Sequence, residues 1–173
     1  TKLLSPQPPE KKVSKYRLYK CTWQVGDVYA YRLESEYSKE KGLYGKYIIF
    51  QKVGETDCWP GHIIPVIFVY RWIGESLPTK EELACLPILK QYYPCALKKY
   101  PDTTGSLVAL MIGSKKITPV SQLTFMGNMP TNESRFDSKK ICDYFGWEKS
   151  RWNVKLEREI INLYFAWQEY DNA

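Results

Sequence analysis

Residues 62–73 read HIIPVIFVYRWI, and this segment carries the strongest structural signal in the chain. It is rich in β-branched and aromatic side chains, which favour extended strands. Its apolar residues occupy successive positions instead of alternate ones, so both faces of the strand are predicted to be buried. We therefore expect a central strand, with other parts of the chain covering each side of its sheet.

Further strand signals lie on either side of this segment. A Gly26-Asp27 turn precedes one predicted strand, and a second predicted strand ends at Gly54 before a turn over residues 56–61. A polar, lysine- and glutamate-rich loop over residues 34–42 separates those two strands. The four predicted flanking strands cover residues 28–33, 44–53, 106–112 and 120–126.

Two helices are predicted from capping chemistry and periodicity. Thr79 and Glu82 have the spacing of a capping box, in which each side chain accepts a hydrogen bond from the other residue's backbone amide. A short helix should follow and stop before Pro87. Near the C-terminus, apolar residues recur at helical spacing after a candidate N-cap at Ser150, and we expect this helix to pack on the sheet. The recurring residues are Trp152, Leu156, Ile160, Leu163 and Trp167.

These elements predict an α+β fold. We expect a twisted, mostly antiparallel sheet or an SH3-like barrel, braced by a C-terminal amphipathic helix. Residues 1–15 are basic and contain three prolines, so they are predicted to form a linker. Residues 16–173 are predicted to form a single domain, a size that can bury a core without disulfide staples.

The positive charge of the chain is concentrated at one end. The whole chain has a net charge of +6, and residues 1–20 contribute +5 of it. The other 153 residues are therefore close to neutral. A basic arm of this kind is typical of a solubilising linker, and it also suits phosphate binding. The arm residues that would contact phosphates are Lys11, Lys12, Lys15, Arg17 and Lys20.

The cysteines indicate a reducing compartment and no metal site. Five cysteines are widely scattered, an odd number without a CxxC pair, and the chain has one histidine. This pattern favours free thiols in the cytoplasm over a disulfide framework or a zinc site. No segment approaches the ~20 successive apolar residues that a membrane helix needs. We expect a cytoplasmic protein without membrane association.

Catalytic motifs are absent from the sequence. It contains no GxxxxGK[ST], GxGxxG, HExxH or GxSxG. Cys58 and His62 are the one conceivable nucleophile and base, and they flank the Trp59-Pro60-Gly61 turn. A histidine bonded to a loop carbonyl is the favoured explanation of His62. We therefore predict a protein that is not an enzyme and that needs no cofactor.

Aromatic residues are the main candidates for a binding site. The chain has 14 tyrosines and 6 tryptophans. Residues 29 and 31 share one strand face, residues 44 and 47 lie at the start of the next strand, and residue 59 lies in the following turn. Such rings fill a core, or they converge at one rim and contact a partner. The predicted binding residues are Tyr29, Tyr31, Tyr44, Tyr47 and Trp59.

Two short motifs suggest a family resemblance. The run WQVGDVYAYRL at residues 23–33, followed by GLYGKYII at residues 42–49, resembles SH3-like barrels and in particular the bacterial polymorphic-toxin immunity family twenty-six. The motif LTFMGNMP at residues 123–130 is similar to a segment of uncharacterised clostridial proteins. The resemblance implies a protein that binds and occludes a toxin.

Three functions follow from these observations, in decreasing order of expectation. The first is a non-catalytic, immunity-like protein that blocks a protein partner, such as a toxin, with an aromatic face. The second is a nucleic-acid-binding module that combines the basic arm with the same aromatic residues. The third is an enzyme that uses Cys58 and His62. A protein partner is expected before nucleic acid.

Overall fold

A computed structural model describes residues 21–59, 62–90, 107–109, 123–136, 141–142 and 152–172. Within these ranges the chain forms six strands and three α-helices. The strands are β1 (Asp27–Arg32), β2 (Tyr47–Trp59), β3 (His62–Gly74), β4 (Leu107–Ala109), β5 (Leu123–Asn128) and β6 (Ile141–Cys142). The helices are α1 (Glu36–Glu40), α2 (Lys80–Cys85) and α3 (Trp152–Asp171), with a 3-10 turn at Glu133–Arg135.

The strands form one sheet in the order β5-β1-β2-β3-β4-β6. All neighbouring pairs are antiparallel except β4 and β6, which are parallel. The predicted α+β class and the mostly antiparallel sheet are therefore confirmed. Among the described residues no pairing joins the end strands β5 and β6, so the sheet is open and the SH3-like barrel is not closed.

The two long strands β2 and β3 form the centre of the sheet. As predicted, β3 has neighbours on both edges, β2 and β4, and is buried along Ile64–Tyr70. The predicted end of β2 at Gly54 was wrong. The strand continues to Trp59 because residues 54–59 pair with β3. The register of this pairing shifts at a few irregular positions.

One face of the sheet packs against α3. Along this helix Ile160, Ile161, Leu163 and Trp167 are buried, and they join buried residues from all three central strands. The expectation that the C-terminal helix packs on its own sheet is thus confirmed. The sheet residues of this cluster are Tyr31, Leu33, Ile48, Phe50, Ile67 and Val69.

The opposite face is covered by α2 and by the segments around it. Leu83 of α2 and Ile88 pack there against alternate residues of the same strands. The predicted capping box is present, with Thr79 and Glu82 each accepting from the other's amide, at 3.2 and 2.7 Å. The sheet residues of this second cluster are Val28, Ala30, Ile49, Val66, Phe68 and Tyr70.

The polar segment after β1 contains a helix that the sequence analysis assigned to a loop. Helix α1 begins after Ser35, whose side chain accepts a hydrogen bond from the Ser38 amide. Ser38 is fully buried, and its hydroxyl donates to the Ser35 carbonyl at 2.7 Å. A helix of five residues has too few turns to show an apolar period, so its N-cap is the main signal in the sequence.

A buried carboxylate connects α3 to this segment. Glu157 is 1% exposed. One of its oxygens, Oε1, accepts from the Tyr31 hydroxyl at 3.0 Å and from the Glu34 amide at 3.1 Å. The other, Oε2, accepts from the Ser35 amide at 2.9 Å. Glu157 therefore satisfies donors at the end of β1 and at the start of α1 that would otherwise be buried without partners.

Removing this carboxylate should destabilise the whole domain. We expect Glu157→Ala to lower the free energy of unfolding by about 2–4 kcal/mol, because it leaves three donors unsatisfied and a cavity under α3. Glu169→Ala, at an exposed position of the same helix, should change it by less than about 0.5 kcal/mol. Urea unfolding followed by circular dichroism compares the two variants. Equal effects would show that the Glu157 hydrogen bonds contribute nothing.

A buried amide has a similar role on the opposite face of the sheet. The Gln51 side chain, 2% exposed, donates to the carbonyls of Gly26 at 3.1 Å and Met129 at 2.9 Å. Its oxygen accepts from the Tyr70 hydroxyl at 3.1 Å. Burial raises the pKa of Tyr70, while the nearby positive charge of Arg135 acts in the opposite direction.

The raised pKa of Tyr70 predicts a loss of stability at alkaline pH. The unfolded chain releases this proton near pH 10, and the folded protein holds it to a higher pH. The contribution of Tyr70 is therefore complete below about pH 10 and falls as the pH rises towards the folded value. Chemical unfolding from pH 8 to pH 11 should show a steeper fall in the free energy of unfolding for the wild type than for Tyr70→Phe. If the free energy of unfolding falls equally with pH in both proteins, the raised pKa of Tyr70 is contradicted.

Candidate functional site

Two of the predicted binding residues share a sheet face, but only one of them reaches the surface. Tyr29 and Tyr31 of β1 both point to the α3 side, as their spacing predicted. Tyr31 is fully buried, with its hydroxyl on Glu157. Its ring is therefore part of the core, whereas the Tyr29 side chain is half-buried.

The other predicted residues lie at different places along the chain and the sheet. Tyr47 opens β2 and packs with the cluster on the opposite face of the sheet. Tyr44 is 50% exposed in the loop before β2, and the Lys39 ammonium lies 5.0 Å from its ring centre. Trp59 ends β2, and its side chain is outside the described residues. Of the two alternatives, core filling applies to Tyr31, while the position of the Trp59 side chain lies outside the described residues.

A different set of rings forms a continuous row beside Tyr29. The row, which we call the aromatic row, consists of Trp23, Tyr29, Phe50 and Phe125. Trp23 stacks on Tyr29 with a centroid distance of 4.4 Å, and Tyr29 lies 6.1 Å from Phe50 and 5.4 Å from Phe125. Strand pairing explains the row, because Tyr29 is the register partner of Phe50 on one side and of Phe125 on the other.

The aromatic row runs from the core to the surface. Phe50 is fully buried, Trp23 and Tyr29 are half-buried, and Phe125 is 57% exposed. Val25, near the same end of β1, is 51% exposed. Phe125 and Val25 are the two most exposed large apolar residues in the described part of the chain. The sequence analysis missed Trp23 and Phe125, because only strand order brings their motifs together.

The two motifs that carried the family resemblance contact each other at this end of the sheet. Asn128 donates to the Asp27 carboxylate at 2.9 Å and to the Val25 carbonyl at 3.0 Å, while the Met129 amide donates to the Gly26 carbonyl at 2.9 Å. Gly26 has a φ of +93°, and a Cβ there would lie 2.6 Å from the Met129 carbonyl oxygen. Glycine is therefore required at this turn.

A buried lysine fixes the segment that carries Trp23. Lys52 of β2 is 1% exposed. Its ammonium donates to the Trp23 carbonyl at 2.6 Å and to the Glu55 carboxylate at 2.5 Å. A buried ammonium is stable only when it is paired and hydrogen-bonded in this way. Lys52 therefore holds the chain before β1 against the sheet and keeps Trp23 stacked on Tyr29.

A second group of polar and aromatic residues lies where α1 meets α3. The Tyr37 hydroxyl donates to Asn162, and the side chains of Lys41 and Arg158 lie 5.6 and 5.1 Å from the Tyr37 ring. An open groove of about 780 Å³ runs beside these residues. Its lining is mostly polar and consists of Lys41, Asn162, Phe165, Ala166, Gln168, Glu169 and Asn172.

Several sequence predictions lie outside the described residues. They include the five arm residues of the basic N-terminus, Lys11, Lys12, Lys15, Arg17 and Lys20, and the side chains of Cys58 and His62. The backbone places His62 opposite Trp59 at the junction of β2 and β3. Among the described side chains, no cluster of three or more metal-ligating residues is found, and no described helix is long and apolar enough to cross a membrane.

Comparisons of the chain with protein-family models, with curated proteins and with solved structures find no match. The resemblance to the immunity family therefore stays a prediction.

The thiol next to Lys52 gives a chemical test of this part of the structure. Burial raises the pKa of Cys21, although its bond to the Trp23 backbone and the Lys52 charge act to lower it. Less thiolate is then present at neutral pH, and the half-buried side chain is also harder to reach. Iodoacetamide at pH 7.5, with peptide mapping by mass spectrometry, should alkylate Cys21 more slowly than the exposed Cys85. Faster reaction at Cys21 would contradict the described packing of this segment.

Proposed function

We propose that this chain is a non-catalytic protein-binding domain that acts by steric occlusion of a protein partner, as an immunity protein does. The observation that carries the proposal is the aromatic row, which ends in a phenylalanine that is 57% exposed. Large rings that are held rigid from below and exposed above are typical of interface hot spots. Phe125 has this arrangement, because Tyr29, on which Trp23 stacks, supports it from the core side.

The energetics support a contact surface at this place. Burying a phenylalanine side chain that is exposed in the free protein contributes about 1.5–3 kcal/mol. The Phe125 ring already packs against Tyr29 of β1 in the free protein, so less side-chain freedom is lost on binding. A partner that covers Phe125 and Val25 would remove these two exposed apolar side chains from water. Occlusion needs no catalytic group, and none is assigned.

A matched pair of variants tests the proposal. Tagged wild-type protein, incubated with lysate of its native cell, should retain one protein in stoichiometric amount through a high-salt wash. Phe125→Ser should lose that protein, with an affinity at least about tenfold lower. Ile63→Ser should keep it, because Ile63 is also exposed, at 47%, but lies on β3, three strand spacings or about 14 Å away across the sheet and farther still along the strands.

Two outcomes would contradict this function. If Phe125→Ser and Ile63→Ser retain the partner equally, the aromatic row is not the contact surface. If no protein is retained by the wild type at high salt, a tight protein partner is excluded under these conditions. Circular dichroism of both variants confirms that the sheet is intact, so that loss of binding is not loss of folding.

Nucleic-acid binding is the second candidate, and the residues at α1 favour it. Lys39, Lys41 and Arg158 lie within 5.0–5.6 Å of the rings of Tyr37 and Tyr44, a combination that suits stacked bases and phosphates. The Lys39 ammonium is engaged by Glu36 at 2.6 Å, which weakens this case. In the same purification, nucleic acid that elutes as the salt rises would favour this function.

A cytoplasmic location belongs to the same proposal. Both cysteines with described side chains, Cys21 and Cys85, are free thiols, and free thiols persist in reducing compartments.

A further inference from the structure

The strand that carries Phe125 has an open edge. β5 pairs with β1, and within the described part of the chain it has no partner on its other side. Within the described residues, the backbone amides and carbonyls along that side have no strand partner, which is the condition under which an edge strand accepts another strand. Leu123, Thr124 and Phe125 keep a regular register with β1, so this part of the edge is straight.

The edge lacks the usual protection against pairing. Natural edge strands are commonly blocked by charged side chains, and β5 has none in its sequence LTFMGN. Its one irregularity is a bulge at Met126, which has no register partner on β1, followed by Gly127 with a φ of +120°. The bulge lies beyond Phe125, so it limits pairing at one end and leaves Leu123–Phe125 open.

A free positive charge lies next to the same strand. A Cβ built on Gly127 would be 3.4 Å from the Lys80 Nζ, so the Lys80 side chain lies against β5. Lys80 is exposed, and it forms none of the ion pairs found among the described residues. A partner segment with a carboxylate at this position would complement it. A second copy of β5 would not, since that strand contains no acidic residue.

We propose that β5 binds an extended peptide segment of the partner by strand addition, with an apolar side chain on Phe125 and a carboxylate near Lys80. The inference rests on the proposed function, because it specifies how the occluded protein is held. Only an extended strand uses all three features together, namely the backbone edge, the exposed ring and the free ammonium. Main-chain bonds would supply affinity, and the ring and the charge would supply specificity.

Peptide selection tests this recognition directly. A displayed library of random peptides of about ten residues, panned on the full chain, should enrich sequences with strand-type alternation and an aspartate or glutamate. Panning on Lys80→Glu should replace that acidic position with lysine or arginine, because the charge of the site is reversed. Enrichment that is the same on both proteins, or no enrichment, would overturn the proposal.

Amide exchange then shows whether the bound peptide forms a strand. With a selected peptide at about ten times its Kd, exchange of the β5 amides that face outwards should slow about tenfold, as measured by NMR. A peptide that contacts the Phe125 ring alone would leave those amides unchanged, and this result would also overturn the proposal. Phe125→Ser should weaken the peptide about tenfold, while Ile63→Ser should leave its affinity unchanged.

The two proposals fail separately in these experiments. A Phe125-dependent lysate partner that leaves the β5 amides unprotected keeps the proposed function and excludes strand addition. Peptides that protect β5, in the absence of any Phe125-dependent lysate partner, support strand addition and count against occlusion of a cellular protein.

Discussion

The hydrogen bonds of Glu157 hold together the parts of this fold that are far apart in sequence. This carboxylate of α3 accepts from Tyr31 in β1 and from the amides of Glu34 and Ser35, which start α1. The strand end, the helix start and the C-terminal helix are thus fixed by one buried group. The apolar residues of α3 pack against β1, β2 and β3 on the same side of the helix, so the carboxylate and the apolar face act together.

Both faces of the sheet are buried, and a few polar side chains lie within these buried faces. Gln51 and Lys52 are neighbours on β2, and they point to opposite faces. Gln51 satisfies two carbonyls and the Tyr70 hydroxyl, and Lys52 satisfies the Trp23 carbonyl and Glu55. Gln51 thereby fixes the segments at Gly26 and Met129, and Lys52 fixes the segment at Trp23. Buried polar groups of this kind specify one arrangement of loops where apolar packing alone would permit several.

These same segments position the aromatic row and its exposed end, Phe125. The Gly26 turn and Asn128 join β1 to β5, and strand pairing aligns Phe125 with Tyr29. The two motifs that gave the family resemblance therefore have a structural explanation. The first motif contains the tight turn at Gly26. The second motif supplies the Met129 amide, which donates to the Gly26 carbonyl. The exposed ring and the uncharged edge of β5 have no such structural explanation, and they are the features that a partner would use.

The sequence by itself determined the fold class and those elements that local chemistry specifies. The apolar run of β3, the Thr79 capping box and the period of α3 predicted those elements correctly, because each depends on local chemistry. The sequence also indicated Tyr29 as a candidate contact residue. Tertiary structure decided the rest. Whether Tyr31 is core or surface depends on Glu157, 126 residues away, and whether Phe125 is exposed depends on β5 being an end strand. Neither can be derived from local patterns, since strand order and long-range hydrogen bonds are set by how the whole chain packs.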